Sequence, residues 1–159
     1  MKAAKICSLA GVDLGLDGKP GPWCAIDYRT FESMHVKNVH ILGDSTLTNF
    51  PKSGSVANNT GKMCAAALVE ILNGREPDAA PVVTNTCYSA SSPDTAFHVA
   101  TVFRYQGEKV AADGKVTPPA MVAQKGGGIS KEESELEFAY MESWARNVWA
   151  DTLGLPADY

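Results

Sequence analysis

The chain has 159 residues and a formal net charge of −4, with 45% hydrophobic and 20% charged residues, which is room for one domain or two small ones with a real core. That acidic balance argues against a nucleic-acid partner, which needs clustered Lys and Arg, and no apolar run is long enough to span a membrane. The cysteines Cys7, Cys24, Cys64 and Cys87 form no C-x-x-C pair and the histidines are scattered, so no metal site is expected. They are also too sparse for a disulfide-stapled scaffold.

Residues 2–10 read as the end of a helix stopped near Gly11, its beginning expected upstream; Lys5 and Ser8 interrupt the segment too much for an export signal. A Gly/Pro-rich loop follows over 15–22. Residues 25–31 predict a short strand, and 38–42 a buried strand ending at Gly43. The spacing of Gly61, Ala65, Leu68 and Leu72 predicts a helix over 54–72 with that stripe on one face, stopped by Asn73-Gly74. Residues 74–81, with Pro77 and Pro81, mark the clearest boundary.

Beyond it the period falls to two. Strands are expected over 82–89 and 97–105, and a hairpin joins 109–111 to 115–117 across Asp113-Gly114. Residues 124–128 read as a glycine-rich connector, since the run lacks the spacing of a phosphate cradle. Ser130-Lys131-Glu132-Glu133 reads as a capping box opening the last helix. Leu136, Tyr140, Trp144 and Val148 recur along that helix, and Gly154 and Pro156 end it. Glu132, Glu133, Glu135 and Glu137 read as a solvated first turn.

Three features carry candidate chemistry. Gly43-Asp44 follows a predicted strand, so its carboxylate would sit where α/β sheets bind ligands and accept a hydroxyl hydrogen bond. The helix starting near Lys52-Ser53-Gly54 would aim unpaired N–H groups at the same edge and favour negative charge, as on the pyrimidine side of a reduced flavin. Cys87, in Asn85-Thr86-Cys87-Tyr88-Ser89, is a thiol in an extended segment. Its plainer reading is a core cysteine, and a redox role needs a partner thiol or an adjacent electron acceptor.

The motifs Trp23-Cys24, Thr30-Phe31-Glu32-Ser33, Val39-His40-Ile41-Leu42-Gly43-Asp44, Pro51-Lys52-Ser53-Gly54, Ala57-Asn58, Gly61-Lys62, Asn85-Thr86-Cys87-Tyr88-Ser89 and Ser143-Trp144 stand in one order. In this the chain resembles the C-terminal part of the flavoprotein subunit of flavocytochrome c sulfide dehydrogenase. The resemblance implies an α/β fold, α+β in isolation. Residues 1–76 would be the returning part of a glutathione-reductase-like FAD domain, and 77–159 a strand-rich C-terminal domain closed by a long helix.

It also implies FAD held by Gly43, Asp44, Lys52, Ser53 and Gly54, Cys87 as one half of a redox-active disulfide, and Trp144 near the isoalloxazine ring. Sulfide would leave a persulfide on one cysteine. Electrons would pass by way of Cys87 to FAD, and singly to haem c on a cytochrome c subunit in the periplasm. No Gly-x-Gly-x-x-Gly unit is present, and Cys7, Cys24 and Cys64 do not match the disulfide partner. The resemblance therefore places the other half of the FAD site, and the second cysteine, in an N-terminal half of the same flavoprotein. A non-catalytic docking or dimerisation module of this fold, and a related FAD-dependent disulfide oxidoreductase, are the alternatives.

Overall fold

The computed structural model describes residues 2–154 and 156. Its architecture is α+β: an irregular N-terminal layer, a long helix, an antiparallel sheet and a closing helix. Helix α1 (Lys5–Leu9) is short and buries only Cys7. Gly11, at φ +68°, turns the chain away from it. Helix α2 (Gly54–Leu72) begins at Ser53, whose hydroxyl accepts the Val56 N–H, and it ends at Asn73. Gly74 follows at φ +70°, a backbone state glycine enters without a Cβ clash.

Strands β1 (Val82–Ala90) and β2 (Ala96–Gln106) form an antiparallel pair with Val83 opposite Phe103 and Cys87 opposite Val99. Between them Ser92 and Thr95 close a turn through hydroxyl hydrogen bonds. The far side of β2 pairs with β5 (Ala120–Ala123) at one end and with β6 (Gly128–Ile129) at the other, so β1 is the outer strand. Strands β3 (Lys109–Val110) and β4 (Val116–Thr117) make the separate hairpin expected at Asp113-Gly114. Helix α3 (Glu135–Leu153) lies against β2 and β1 and ends at Gly154 in the left-handed conformation.

Two apolar clusters hold this together. One gathers Cys7, Val12, Cys24, Ile26, Phe31, Ile41 and Cys64. The other joins Phe50 and Val56 to Val83, Phe103 and Met121 of the sheet. Phe50 meets the Phe103 ring edge-on at 5.1 Å between centroids, the arrangement that ring quadrupoles favour. The second cluster spans the segment 75–81, where Arg29 also donates to the carbonyls of Pro77 and Asp78.

Several local expectations fail for identifiable reasons. Residues 25–31 form no strand. The Asp27 carboxylate accepts from the N–H groups of Arg29 and Thr30 and from the Thr30 hydroxyl, which closes a turn, and Phe31 sits at φ +59°. Residues 38–42 form none either: Asn38 lies at φ +63°, and the only pairing in the segment is an isolated bridge between His40 and Glu32. Helix α2 buries Val56, Thr60, Cys64 and Ala67, whereas Ala65 and Leu72 of the expected stripe are exposed.

The last helix is capped by Ser134, not Ser130. Ser134 exchanges backbone hydrogen bonds with Ala96 and its hydroxyl accepts from Glu137 N–H, while the Ser130 hydroxyl accepts the His98 N–H. Glu137 is not solvated with its neighbours, because Oε2 lies 2.7 Å from His98 Nδ1. In the glycine run only the first two residues connect strands; Gly128 pairs with Ala100 in β6. A Cβ on Gly127 would stand 2.5 Å from the Ala100 carbonyl oxygen, so that position admits no side chain without moving the sheet.

Candidate functional site

Gly43, Asp44 and Ser45 form one turn of 3₁₀ helix beside the start of α2. Gly43 stands at φ +61°, and a Cβ there would come within 3.2 Å of the Ala57 Cβ. Glycine takes this conformation without strain, whereas a side chain would be strained there and tight against α2. Asp44 is thereby delivered, exposed, to the neighbourhood of the helix N-terminus.

Lys52 arrives from the other side. Its ammonium donates to the Thr46 carbonyl at 2.6 Å and lies 5.5 Å from the centre of the Trp23 ring. Burial pushes this ammonium below the usual lysine range, and the nearby Asp44 carboxylate opposes that push. The indole Nε1 of Trp23 is buried and has no hydrogen-bond partner among the described residues.

Ser53 closes α2 and joins it to the sheet. Its oxygen accepts from Val56 N–H, and its proton goes to Asn85 Oδ1 at 2.7 Å. The same Asn85 oxygen accepts from the Cys87 thiol at 3.3 Å. Further along α2, the Ser55 hydroxyl accepts the Thr86 N–H, and Asn59 Oδ1 accepts the Thr84 N–H. Three polar links thus seat the first turns of α2 along strand β1. Asn85 is buried and Cys87 half-buried, which leaves the thiol reachable beside the helix start.

Gly43, Asp44, Lys52, Ser53 and Gly54 therefore gather round the N-terminus of α2, and the hydrogen-bond chain through Asn85 leads from there to Cys87. Trp144 is not brought to them. It stands on α3, 6.0 Å between ring centres from Tyr88. Adjacent strand residues face opposite sides of a sheet, so the Tyr88 ring, and Trp144 with it, lie across the sheet from the Cys87 thiol. His98 and Glu137 share that far face, and burial, with Glu137 and Tyr140 adding to it, pushes the Tyr88 phenol upward.

The other thiols are enclosed. Cys7, Cys24 and Cys64 are buried in the first cluster, and all four cysteines are free. Burial, reinforced by Cys7, pushes Cys24 up to about 12 and it also raises Cys64, which keeps both as inert thiols. Among the described residues no group of His, Cys, Asp and Glu could hold a metal ion, and no helix is long and apolar enough to cross a membrane.

The donor set fits a flavin. A nineteen-residue helix presents its N-terminus, a lysine stands beside it, and a glycine allows close backbone approach. Asn85 is the participant that sequence reasoning missed, although it opens the motif containing Cys87; its signal is a contact with a residue 32 positions earlier.

Residues 79–153 match the family model described as flavocytochrome c sulphide dehydrogenase, flavin-binding. The match covers the sheet and α3, and so includes Cys87 and Trp144, while Gly43, Asp44 and the start of α2 precede it.

Proposed function

We propose, from the match of residues 79–153 to the flavin-binding family of flavocytochrome c sulphide dehydrogenase, that this chain is the C-terminal part of a FAD-dependent sulfide dehydrogenase delivering electrons to cytochrome c. The observation that carries the reading is the hydrogen-bond chain from the α2 N-terminus through Ser53 and Asn85 to the one half-buried thiol, Cys87.

In this reading Gly43 brings the backbone close to the cofactor and Asp44 accepts a hydroxyl hydrogen bond. Lys52, Ser53 and Gly54 set the charge and the free N–H groups that favour an anionic ring edge. FAD, when bound, supplies a two-electron acceptor. Cys87 works as one sulfur of a redox pair whose second cysteine comes from an N-terminal half of the flavoprotein. Hydrosulfide attacks the partner sulfur, the S–S bond breaks, a persulfide forms there, and Cys87 leaves as the thiolate. The thiolate's electron pair would pass to FAD, when bound, as the Cys87 sulfur bonds to the outer persulfide sulfur, which gives up its proton, and haem c on the cytochrome subunit would receive the electrons singly. Trp144 acts at a distance in this scheme, by supporting Tyr88 behind the strand that carries Cys87. Residues 1–76 would complete the FAD domain, 77–159 would form the domain bearing Cys87, and the assembly would work in the periplasm.

The test uses the protein purified with the chains that accompany it. Its visible spectrum should carry a flavin band that sulfide bleaches, and Cys87→Ser should keep the band and lose the bleaching. Bleaching at an unchanged rate in Cys87→Ser would remove Cys87 from the mechanism, and a colourless preparation indifferent to sulfide would overturn the function.

A further inference from the structure

Lys52 stands at the unfavourable end of a helix. It precedes Ser53, the residue that caps α2, so its ammonium lies where unpaired N–H groups already carry positive charge. The first turn of α2 holds no acidic residue, whereas that of α3 holds Glu135 and Glu137. Burial adds a second penalty to the ammonium. Among the described residues Lys52 forms no ion pair. Asp44 is near enough to favour its charge, and its one hydrogen bond goes to the Thr46 carbonyl.

Trp23 supplies the rest of the hold. The centre of its ring lies 5.5 Å from the Lys52 Nζ, within the distance at which an aromatic face attracts a cation, and indole is the ring that does so best. The backbone fixes that ring in turn. Cys24 bridges Thr46 in parallel, its N–H donating to the Ser45 carbonyl and its carbonyl accepting the Leu47 N–H. The intervening Thr46 carbonyl is left to receive Lys52. Cys24 is sunk in the first apolar cluster, so Trp23, its neighbour in a bridged extended segment, faces the opposite side. The indole Nε1 is buried with no partner among the described residues, an unfavourable placement that phenylalanine would avoid. The ring is therefore held for its face and not for its N–H.

We infer that Trp23 is the positioning residue of Lys52: its ring face and the Thr46 carbonyl hold the ammonium, without an ion-pair partner, at the α2 N-terminus, where it stabilises the negative charge of a reduced flavin. This deepens the flavin-binding reading of Lys52 and rests on it for its purpose. A fixed positive charge there makes the oxidised ring a better electron acceptor.

The experiment is the midpoint potential of the flavin in the protein purified with its companion chains. Lys52→Met should lower it, because the reduced ring loses a positive neighbour. Trp23→Leu should lower it by a smaller amount, and Trp23→Phe should keep most of the parent value. Trp23→Leu added to Lys52→Met should bring no further fall. A loosened fold would instead shift the potential alike in both backgrounds. Equal shifts with and without Lys52, or none, would overturn the inference.

A second readout needs no flavin. With isotope-labelled lysine, the Lys52 Cε–H signals, identified by their loss in Lys52→Met, should be displaced upfield by the Trp23 ring current and should move back in Trp23→Leu. Undisplaced signals in the parent protein would also overturn the inference. A flavin whose potential follows these variants but which sulfide does not reduce would retire the sulfide function and keep the role of Trp23.

Discussion

Helices α2 and α3 are both nineteen residues long and both open on a serine whose hydroxyl accepts an N–H three residues on. They are nevertheless placed differently. Helix α2 buries Val56, Thr60, Cys64 and Ala67, and its small side chains let it lie along β1 and reach both apolar clusters. Helix α3 buries no residue completely and leaves Leu136, Tyr140, Trp149 and Leu153 exposed. Equal length and equal capping thus build one helix into the body of the molecule and lay the other on it. The difference comes from side-chain size and from the polar links at the α2 start, not from helix propensity.

The largest effect separating the two should come from the cores they touch. Phe50→Ala, beside the start of α2, should cost about 3–5 kcal/mol in urea unfolding, whereas Trp149→Ala on α3 should stay within ~0.5 kcal/mol. Equal costs would erase the contrast. Alkaline pH should act next, and mostly on the α2 side, where three raised acid groups stand against the one, Tyr88, packed on α3. Cys24, Cys64 and Tyr28 all have acid groups that folding raises above their ordinary values, Cys24 from 9.0 to about 12. The unfolded chain releases those protons first, so their contribution is complete below about pH 9 and is lost as pH rises toward 12. The transition midpoint measured between pH 8 and 11 should fall, and Cys24→Ala should flatten that fall.

Gly43→Ala should cost roughly 1–2 kcal/mol for its left-handed backbone. The added Cβ, 3.2 Å from Ala57, should also displace Asp44 and weaken flavin retention, read as the flavin remaining after gel filtration. The caps make a matched pair: Ser53→Ala and Ser134→Ala should each cost ~1 kcal/mol, but only the former should change the reactivity of Cys87. The smallest effect belongs to the one ion pair joining the helices among the described residues, Lys62 to Asp151 at 2.5 Å. Both partners are substantially exposed, so Asp151→Asn should cost about 0.2–1 kcal/mol, and less at high salt.

The elements legible in the sequence were those whose signal is local. The 3.6 period with Asn73-Gly74 marked α2, the alternation of 97–105 marked β2, and Gly154 marked the end of α3. Strands 25–31 and 38–42 were misread because apolar residues in a row do not supply a partner strand, and Asp27 offers the backbone a turn instead. The buried face of α2 was misread because Gly61 and Ala65 look like packing residues, whereas Thr60 is the buried one, its hydroxyl satisfied by the Val56 carbonyl. Ser130 and Ser134 both begin an S-x-x-E run, and only pairing with Ala96 decides between them. At the site, the Gly43 turn, the Lys52-Ser53-Gly54 start and Cys87 were readable as motifs. Asn85, and the placement of Trp144 across the sheet, depend on contacts between distant segments, which no local pattern carries.

The seating of α2 on β1 has one more consequence. An outer strand with open N–H groups is a template on which further chains can add, and 82–86 is an uncharged run of the β-favouring kind. Asn59 and Ser55 occupy the Thr84 and Thr86 N–H groups that such a chain would need. The links that aim the helix at Cys87 therefore also keep molecules from joining edge to edge, and replacing Ser55 and Asn59 together by alanine should show itself as self-association before it shows as unfolding.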